Sequence, residues 1–278
     1  MTSTGSTSGI VLCGGRSSRM GRPKARLPWR GQTMIEHVVE VLHQVTEEVV
    51  VITSAELDLP SLDARVVRDR EPALGPLAGI REGLEAVSAE LAYVTSTDAP
   101  FLSPAFVEKM LSFGVAAAPE VDGFVQSLAA VYPSSLADQA GQLIAAHRLR
   151  PLFLLEAAGY RKVGPEELPD LDSLRNFNTA AEYLQGVRSS GTKAPALVEF
   201  LGTVHRKAGV DTMEAEAGHL RDVLRHVEES LPALQLLENG DPAKHILISL
   251  DGRIFLSDGN IAIGPGDRVL VMDAEAGG

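Results

Sequence analysis

Apolar and polar positions follow two different periodicities along the first two-thirds of the chain. Short apolar runs of strand length, at 9–12, 49–52 and 91–95, alternate with segments at 34–45 and 77–87 in which apolar residues recur at helical spacing. Strands that alternate with helices are typical of βαβ units, whose strands are parallel. We therefore expect an α/β fold in which a Rossmann-like, mainly parallel sheet forms the first domain.

The rhythm changes after residues 188–195, where small, polar and helix-breaking residues are typical of a short flexible linker. The elements predicted beyond the linker are a hairpin of residues 197–204 and 210–215, a helix over 220–231, and strands over 246–250, 254–256 and 269–272. A small sheet wrapped around one helix is a β-grasp arrangement. Residues 196–278 are therefore expected to form a small α+β, ubiquitin-like domain.

Composition narrows the class of protein. The 278 residues carry a net charge of -12, which argues against nucleic-acid binding, and no apolar run is long enough to span a membrane. Residues 1–8 are mostly Ser, Thr and Gly, which predicts a disordered tail before a first domain over 9–187. The single cysteine, Cys13, cannot form an internal disulfide, which favours a cytoplasmic protein.

One segment inverts the overall charge. Residues 16–30 contain six Lys or Arg and no Asp or Glu. They follow directly after an apolar strand and two glycines, Gly14 and Gly15, so backbone N–H groups and cationic side chains are expected to converge at the carboxyl end of that strand. The sequence therefore predicts an anion-binding site, with phosphate as the expected ligand.

Five short segments, in order along the chain, resemble the molybdenum cofactor nucleotidyltransferases. The first runs from Leu12 to Lys24 and contains two glycines, an Arg-Met-Gly step and a lysine, as does the loop that wraps the triphosphate in that family. The other four are Asp69 after a strand, Gly75-Pro76-Leu77-Ala78-Gly79, Thr97-Asp98-Ala99-Pro100-Phe101-Leu102, and Asn176-Phe177-Asn178-Thr179. The resemblance covers residues 9–187.

The first segment has an expected role at the phosphates. Glycine lets the backbone approach a phosphate without a side chain in the way. Lys24 and Arg19 are expected to be catalytic, because they can neutralise the charge that builds on the triphosphate as pyrophosphate leaves. The residues expected to line the nucleotide here are Leu12, Cys13, Gly14, Gly15 and Lys24.

Four further positions complete the expected site. Asp98 ends a strand, where a hard carboxylate oxygen can hold Mg²⁺, so it is the predicted metal ligand and a catalytic residue. By resemblance, Asp69 contacts the nucleoside. The same resemblance implies that Asn176 and Asn178 arrange the nucleotide or a second metal-bound group.

Each of these signals also has a plainer explanation. A glycine pair is common in tight turns, and a run of arginines is common on solvated surfaces. Asp98 could cap a helix or be a turn residue, Asp69 could form a surface ion pair, and Asn178 could simply precede a helix capped by Thr179. Only the joint order of the five segments favours the nucleotide site.

The resemblance also implies a reaction. The terminal phosphate of molybdopterin attacks the α-phosphorus of GTP and pyrophosphate leaves, with Mg²⁺ as the cofactor. By the same resemblance Gly14 favours GTP over CTP, because the guanylyl enzymes of the family carry Gly at this position and the cytidylyl relatives tend to carry Ala. We hypothesise a steric reason, that the absent methyl group leaves more room for a purine beside the loop. Two alternatives stay open: transfer of CMP to molybdopterin, and transfer of a nucleotide to a sugar phosphate.

The predicted second domain resembles the sulfur-carrier family of molybdopterin and thiamine biosynthesis. The resemblance rests on the helix over 220–231, the Gly266-Asp267-x-Val269 strand entry and the Ala276-Gly277-Gly278 end. It implies that an ATP-dependent adenylyltransferase activates the carboxylate of Gly278 for conversion to a thiocarboxylate, and it suggests the large subunit of molybdopterin synthase as a further partner. Alternatively, this domain is only an interaction module, or it serves another sulfur-transfer pathway.

Overall fold

The computed structural model describes residues 6–14, 22–69, 74–191 and 194–274. The strands in these residues, numbered along the chain, are β1 (Thr7–Cys13), β2 (Pro28–Trp29), β3 (Gln32–Thr33), β4 (Glu48–Thr53), β5 (Arg65–Arg68), β6 (Leu91–Ser96), β7 (Ala117–Val121), β8 (Phe124–Val125), β9 (Ala130–Pro133), β10 (Arg161–Val163), β11 (Ala196–Phe200), β12 (Thr212–Ala215), β13 (Gly218–His219), β14 (Leu237–Glu238), β15 (Asp241–Pro242), β16 (Ile246–Leu250), β17 (Ile254–Leu256), β18 (Ala262–Ile263) and β19 (Arg268–Asp273). The helices are α1 (Met34–His43), α2 (Pro76–Ala86), α3 (Pro104–Leu111), α4 (Ala137–Ala145), α5 (Pro151–Ala158), α6 (Ala180–Ser189), α7 (Gly202–Ala208) and α8 (Leu220–Ser230). In the part of the chain described, no helix combines the length and the apolar character that crossing a membrane requires.

The described residues form two compact units that do not follow the order of the chain. Residues 6–14, 34–69 and 74–176 form the first unit, and residues 22–33, 177–191 and 194–274 form the second. Residues 22–33 and helix α6 thus belong to the second unit, although the sequence predicts them in the first domain. The predicted boundary at 188–195 stays a prediction.

The first unit is built on a mainly parallel sheet. Its strand order is β10-β7-β9-β6-β1-β4-β5, and β8 pairs with β7. Strands β6, β1, β4 and β5 run parallel, whereas β9 is antiparallel to both of its neighbours. The α/β fold with a mainly parallel sheet is therefore confirmed.

Helix α2 lies unusually close to strand β1. A Cβ atom on Gly79 would lie 3.2 Å from a methyl carbon of Leu12, and one on Gly83 would lie 2.6 Å from a methyl carbon of Ile10. The two glycines are four residues apart on one helix face, and their partners are two residues apart on one face of the strand. Glycine at both positions therefore sets the distance between helix and strand.

The predicted tail is wrong for its last two residues. Thr7 and Ser8 belong to β1, and the Ser8 side chain is buried. The Ser8 hydroxyl donates to a carboxylate oxygen of Glu48 at 2.8 Å, and the Glu47 N–H donates to the Thr7 carbonyl at 3.0 Å. Small polar residues can extend a strand when a neighbouring strand supplies such partners, which composition alone does not reveal.

The second unit contains a mixed five-stranded sheet with the order β12-β11-β19-β16-β17. Strands β11 and β19 are parallel, and the other pairs are antiparallel. Helix α8 contributes Leu220, Val223, Leu224 and Val227 to the buried core of this sheet. The predicted β-grasp-like arrangement is therefore observed in residues 196–274.

The predicted hairpin is correct in its pairing and wrong in its connection. Strands β11 and β12 pair antiparallel, but the chain between them forms helix α7 where a strand was expected to continue to Val204. Asp273 stabilises the start of this helix, because its carboxylate accepts hydrogen bonds from the Thr203 hydroxyl and from the Val204 N–H. A partner about 70 residues away gives no local sequence signal.

Candidate nucleotide site

The carboxyl edge of the first sheet contains a reversal of strand order. From β1 the chain continues to β4 and β5 on one side, and it then returns to place β6 on the other side of β1. In open α/β sheets, ligands bind outside the carboxyl ends of the strands at such a reversal. Gly14 follows β1 directly and Asp98 lies two residues beyond β6, so the structure brings both predicted residues to this edge. A hydrogen bond of 3.1 Å from the Thr97 N–H to the Leu12 carbonyl joins the two strand ends.

The Asp98 side chain is half-buried and has a defined partner. The Ser96 hydroxyl donates to one carboxylate oxygen of Asp98 at 2.5 Å. The helix that follows, α3, is capped by Ser103, whose hydroxyl accepts from the Phe106 N–H at 3.2 Å. The alternative in which Asp98 caps a helix is therefore wrong.

The loop after Asp98 is supported by residues that the sequence did not single out. The buried His37 on α1 places Nε2 3.1 Å from the Pro100 carbonyl oxygen. Asp170 accepts a hydrogen bond from the Ser103 hydroxyl at 2.8 Å and one from the Ser173 N–H at 2.7 Å. These partners are distant in sequence and have no recognisable spacing, so only the folded chain identifies them.

Two neighbouring residues at the end of β1 differ sharply in their surroundings. Cys13 is buried, and burial raises the pKa of its thiol despite opposing hydrogen bonds from Thr97 and Thr53. A thiol of this kind is a packing group at neutral pH, and the expected role of Cys13 in lining the nucleotide stays a prediction. Gly14 is exposed, and a Cβ atom there would meet no described atom within 4 Å.

Asp69 lies at the same sheet edge, directly after β5. Its N–H donates to the Thr53 carbonyl at 2.7 Å, and its side chain is half-buried. The preceding Arg68 donates to the carbonyls of Ser54 and Leu57, both at 2.9 Å, and so fastens the loop after β4. Asn176 is exposed at the end of the first unit.

The second unit brings two predicted site residues together. The Lys24 ammonium lies 3.4 Å from the side-chain oxygen of Asn178. Asn178 precedes α6, which is capped by Thr179 as expected, and Glu182 completes the cap by accepting a hydrogen bond from the Thr179 N–H. The Glu182 carboxylate also accepts from the Asn178 N–H at 2.7 Å, so the cap fixes the backbone beside Lys24's partner.

Some predictions fall outside the described residues. Gly15, Arg19 and Gly278 are among them, and their roles stay predictions. Within residues 6–14, 22–69, 74–191 and 194–274, no group of three or more His, Cys, Asp or Glu side chains is placed to hold a metal ion.

Comparison with known proteins identifies the first part of the chain. Residues 9–159 match the family described as the MobA-like NTP transferase domain. A probable molybdenum cofactor guanylyltransferase of Mycobacterium tuberculosis is 37% identical over 182 residues, which cover 62% of this chain and 89% of that protein. The corresponding protein of Mycobacterium avium is 36% identical over 183 residues, covering 63% of this chain and 91% of its own length.

A solved structure shares the fold. The molybdopterin-guanine dinucleotide biosynthesis protein A of Archaeoglobus fulgidus superimposes with a TM-score of 0.57 at 24% identity. The superposition covers 66% of this chain and 98% of the other.

Proposed function

The chain belongs to the family of MobA-like NTP transferase domains, and from this premise we propose that it transfers GMP from GTP to molybdopterin and releases pyrophosphate. The observation that carries the proposal is the position of Gly14 and Asp98 just beyond the carboxyl ends of two adjacent strands, at the strand reversal of the first sheet. The mycobacterial relatives, matched over about nine-tenths of their length, support the same activity.

Asp98 is the residue that we propose to hold Mg²⁺. Proteins commonly bind Mg²⁺ through one or two carboxylates while substrate phosphates and water complete its coordination. A half-buried carboxylate at a strand end, oriented by Ser96, fits this donor set without a larger acidic cluster. When bound, the ion would offset the negative charge of the triphosphate.

The protein's own residues supply position and charge in the proposed reaction. A terminal phosphate of molybdopterin is already anionic, so no general base is needed. Its oxygen forms a bond to the α-phosphorus of GTP while the bond from that phosphorus to the bridging oxygen breaks, and pyrophosphate takes the electron pair. Lys24 and Arg19 are proposed to neutralise that developing charge, and the N–H groups near Gly14 and Gly15 to orient the phosphates.

Gly14 provides the test of base preference. Because a Cβ atom there would meet no described atom, Gly14→Ala is expected to leave the fold intact. If the absent methyl group makes room for a purine, the variant loses GTP affinity while its CTP affinity changes little. The matched control is Gly141→Ala on α4, where a Cβ atom would make only an ordinary contact of 3.8 Å with Arg81.

The function itself is tested by product analysis. Purified protein is incubated with molybdopterin or a sugar phosphate, with GTP or CTP, and with or without Mg²⁺, and the nucleotide product is identified by mass spectrometry. We expect a guanine dinucleotide only with GTP, molybdopterin and Mg²⁺. A cytosine dinucleotide would establish the cytidylyl alternative, and a nucleotide sugar would establish the sugar-phosphate alternative.

We propose a second function, sulfur carriage, for the end of the second unit. The supporting observation is that β19, which precedes the Gly277-Gly278 end, is the middle strand of a β-grasp-like sheet. An ATP-dependent adenylyltransferase would join AMP to the Gly278 carboxylate with loss of pyrophosphate. Hydrosulfide would then displace AMP and leave a thiocarboxylate.

Mass spectrometry of the intact chain tests this second proposal. The chain is incubated with an adenylating enzyme, ATP and sulfide, and compared with a Gly278→Ala variant. A thiocarboxylate on the wild-type chain alone supports the carrier role, with molybdopterin synthase as a candidate recipient. Its persistent absence with adenylating enzymes of both the molybdopterin and thiamine type would favour an interaction module.

A further inference from the structure

A buried ion pair joins the two ends of the second unit. Arg22 donates from Nη1 to one carboxylate oxygen of Asp267 and from Nη2 to the other, the latter at 3.0 Å. Arg22 is 4% exposed and Asp267 is 3% exposed, although 245 positions separate them in the sequence. A buried charge is tolerated when it is paired, so each residue needs the other.

Both partners of the pair are also tied to nearby backbone. The Gly264 N–H donates to the Asp267 carboxylate at 2.6 Å. Arg22 Nη2 donates to the Arg26 carbonyl at 3.1 Å, and this bond spans the short 3-10 helix Lys24–Arg26. The guanidinium therefore holds the stretch of backbone that carries Lys24.

A second contact fixes the same segment a few residues further on. The Tyr183 hydroxyl donates to the Pro28 carbonyl at 2.7 Å, and burial raises the pKa of that hydroxyl. Gly264 lies directly beside it, because a Cβ atom on Gly264 would be 2.1 Å from the Tyr183 oxygen and 3.2 Å from the Pro28 ring. Any side chain at Gly264 would force these groups apart.

Aromatic packing completes the support. The ring of Phe177 lies edge-on to Trp29 at 5.3 Å and to Tyr183 at 5.8 Å between centroids. A Cβ atom on Gly186 would lie 2.2 Å from the Phe177 ring, so glycine is required there as well. Residues 22–29 are thus fastened by charge at one end and by rings at the other.

From these contacts we infer that Asp267 is a positioning residue for nucleotide binding. It acts through Arg22 on the segment that carries Lys24, so the β-grasp-like part of the chain completes the phosphate-binding segment. The inference rests on the proposed function of that segment. It also gives a role to the Gly266-Asp267 strand entry that is independent of sulfur transfer.

The test measures nucleotide affinity in the full-length chain. Asp267→Asn keeps the size of the side chain and removes its charge, and Arg22→Gln removes the partner charge. Each is expected to raise the Kd and the KM for GTP about tenfold while the KM for molybdopterin is unchanged. The double variant is expected to be no worse than either single variant, because both changes break the same interaction.

Two controls separate positioning from general stability. Glu229→Gln removes a negative charge from an exposed position on α8 of the same unit and is expected to leave the Kd for GTP unchanged. Ile248→Val removes one methylene from the buried core of the same sheet and is expected to lower Tm without changing the Kd for GTP. Tyr183→Phe, which keeps the ring and loses the bond to Pro28, is a milder second variant with an expected effect of about threefold.

Each outcome decides the inference. A folded Asp267→Asn variant with the wild-type Kd for GTP overturns it. So does an Ile248→Val variant whose GTP binding weakens in proportion to its loss of Tm. Strict additivity of the two single-variant changes in GTP binding free energy in the double variant also overturns it. Should the wild type bind CTP and not GTP, the guanylyl proposal fails, and the same comparison in CTP still decides the role of Asp267. Binding of neither nucleotide overturns both.

Discussion

The residues proposed to meet the nucleotide are held by different forces in the two units. Around Asp98, the loop is supported by separate hydrogen bonds such as the one from His37. Around Lys24, the near end of the segment is held by a buried ion pair between Arg22 and Asp267, and its far end by the Tyr183 hydroxyl and aromatic packing. Separate hydrogen bonds can be lost one at a time, whereas a buried pair that loses one member leaves an uncompensated charge. The first region should therefore lose a small part of its stability with each substitution, whereas the second should lose a large part when either member of the pair is replaced.

The largest expected effect is on the ion pair. Arg22→Ala leaves the Asp267 carboxylate buried without its cation, and the expected loss in the free energy of unfolding is about 3 kcal/mol or more. Urea denaturation of the full-length chain measures it, followed by the fluorescence of Trp29, which lies in the second unit. Replacing both members with apolar residues, as Arg22→Met with Asp267→Leu, should recover most of that stability. A loss no larger than that of a single neutral hydrogen bond would remove the contrast between the units.

The second expected effect concerns turnover. Asp98→Ala should lower kcat about a hundredfold, or about 2.7 kcal/mol, because it removes the proposed Mg²⁺ ligand. Its urea midpoint should change little, since the side chain lies in a loop. Asp138→Ala, at an exposed position on α4, is the matched control and should keep wild-type turnover. Full Mg-dependent activity in Asp98→Ala would refute the metal assignment.

A smaller loss of turnover is expected at Lys24. Lys24→Ala removes a charge proposed to neutralise departing pyrophosphate and should lower kcat several tens-fold, or about 2 kcal/mol. The exposed Lys244 of the same unit provides the control, because Lys244→Ala removes the same charge away from the proposed site. Equal activities for the two variants would show that Lys24 has no special role in the reaction.

The smallest expected effect tests the hydrogen-bonded region. Ser103→Ala removes the cap of α3 and a bond to Asp170, which should lower the free energy of unfolding by about 1 kcal/mol. Chemical denaturation measures the change, and activity should follow only through stability. A loss as large as that of Arg22→Ala would show that both regions fail in the same way.

The sequence predicts the fold best where the local pattern of apolar and polar residues matches the burial of those residues in the folded protein. The buried strands β1, β4 and β6 are apolar runs, because both of their faces are covered in a parallel sheet. The Thr179–Glu182 cap is equally local and is confirmed. By contrast, the start of α7 depends on a hydrogen bond to Asp273, and Ser8 is buried because β1 pairs with a neighbouring strand that carries Glu48. Neither feature has a signal within its own segment of the sequence.

For the proposed site, motif order indicates candidate residues but not the contacts that support them. Gly14 and Asp98 could be placed at one sheet edge from strand order alone. His37 and Asp267 could not, because their partners lie on other elements and obey no fixed spacing. The assignment of residues 22–33 to the second unit likewise depends on a contact across nearly the whole chain.

The glycines of α2 limit how this protein can be redesigned. A side chain at Gly79 would crowd Leu12 and one at Gly83 would overlap Ile10, so a larger residue at either position must displace these side chains or the helix. Moving the helix would displace the turn at Gly75 that starts it. Directed evolution of this scaffold should therefore leave these two positions unchanged and vary the loops.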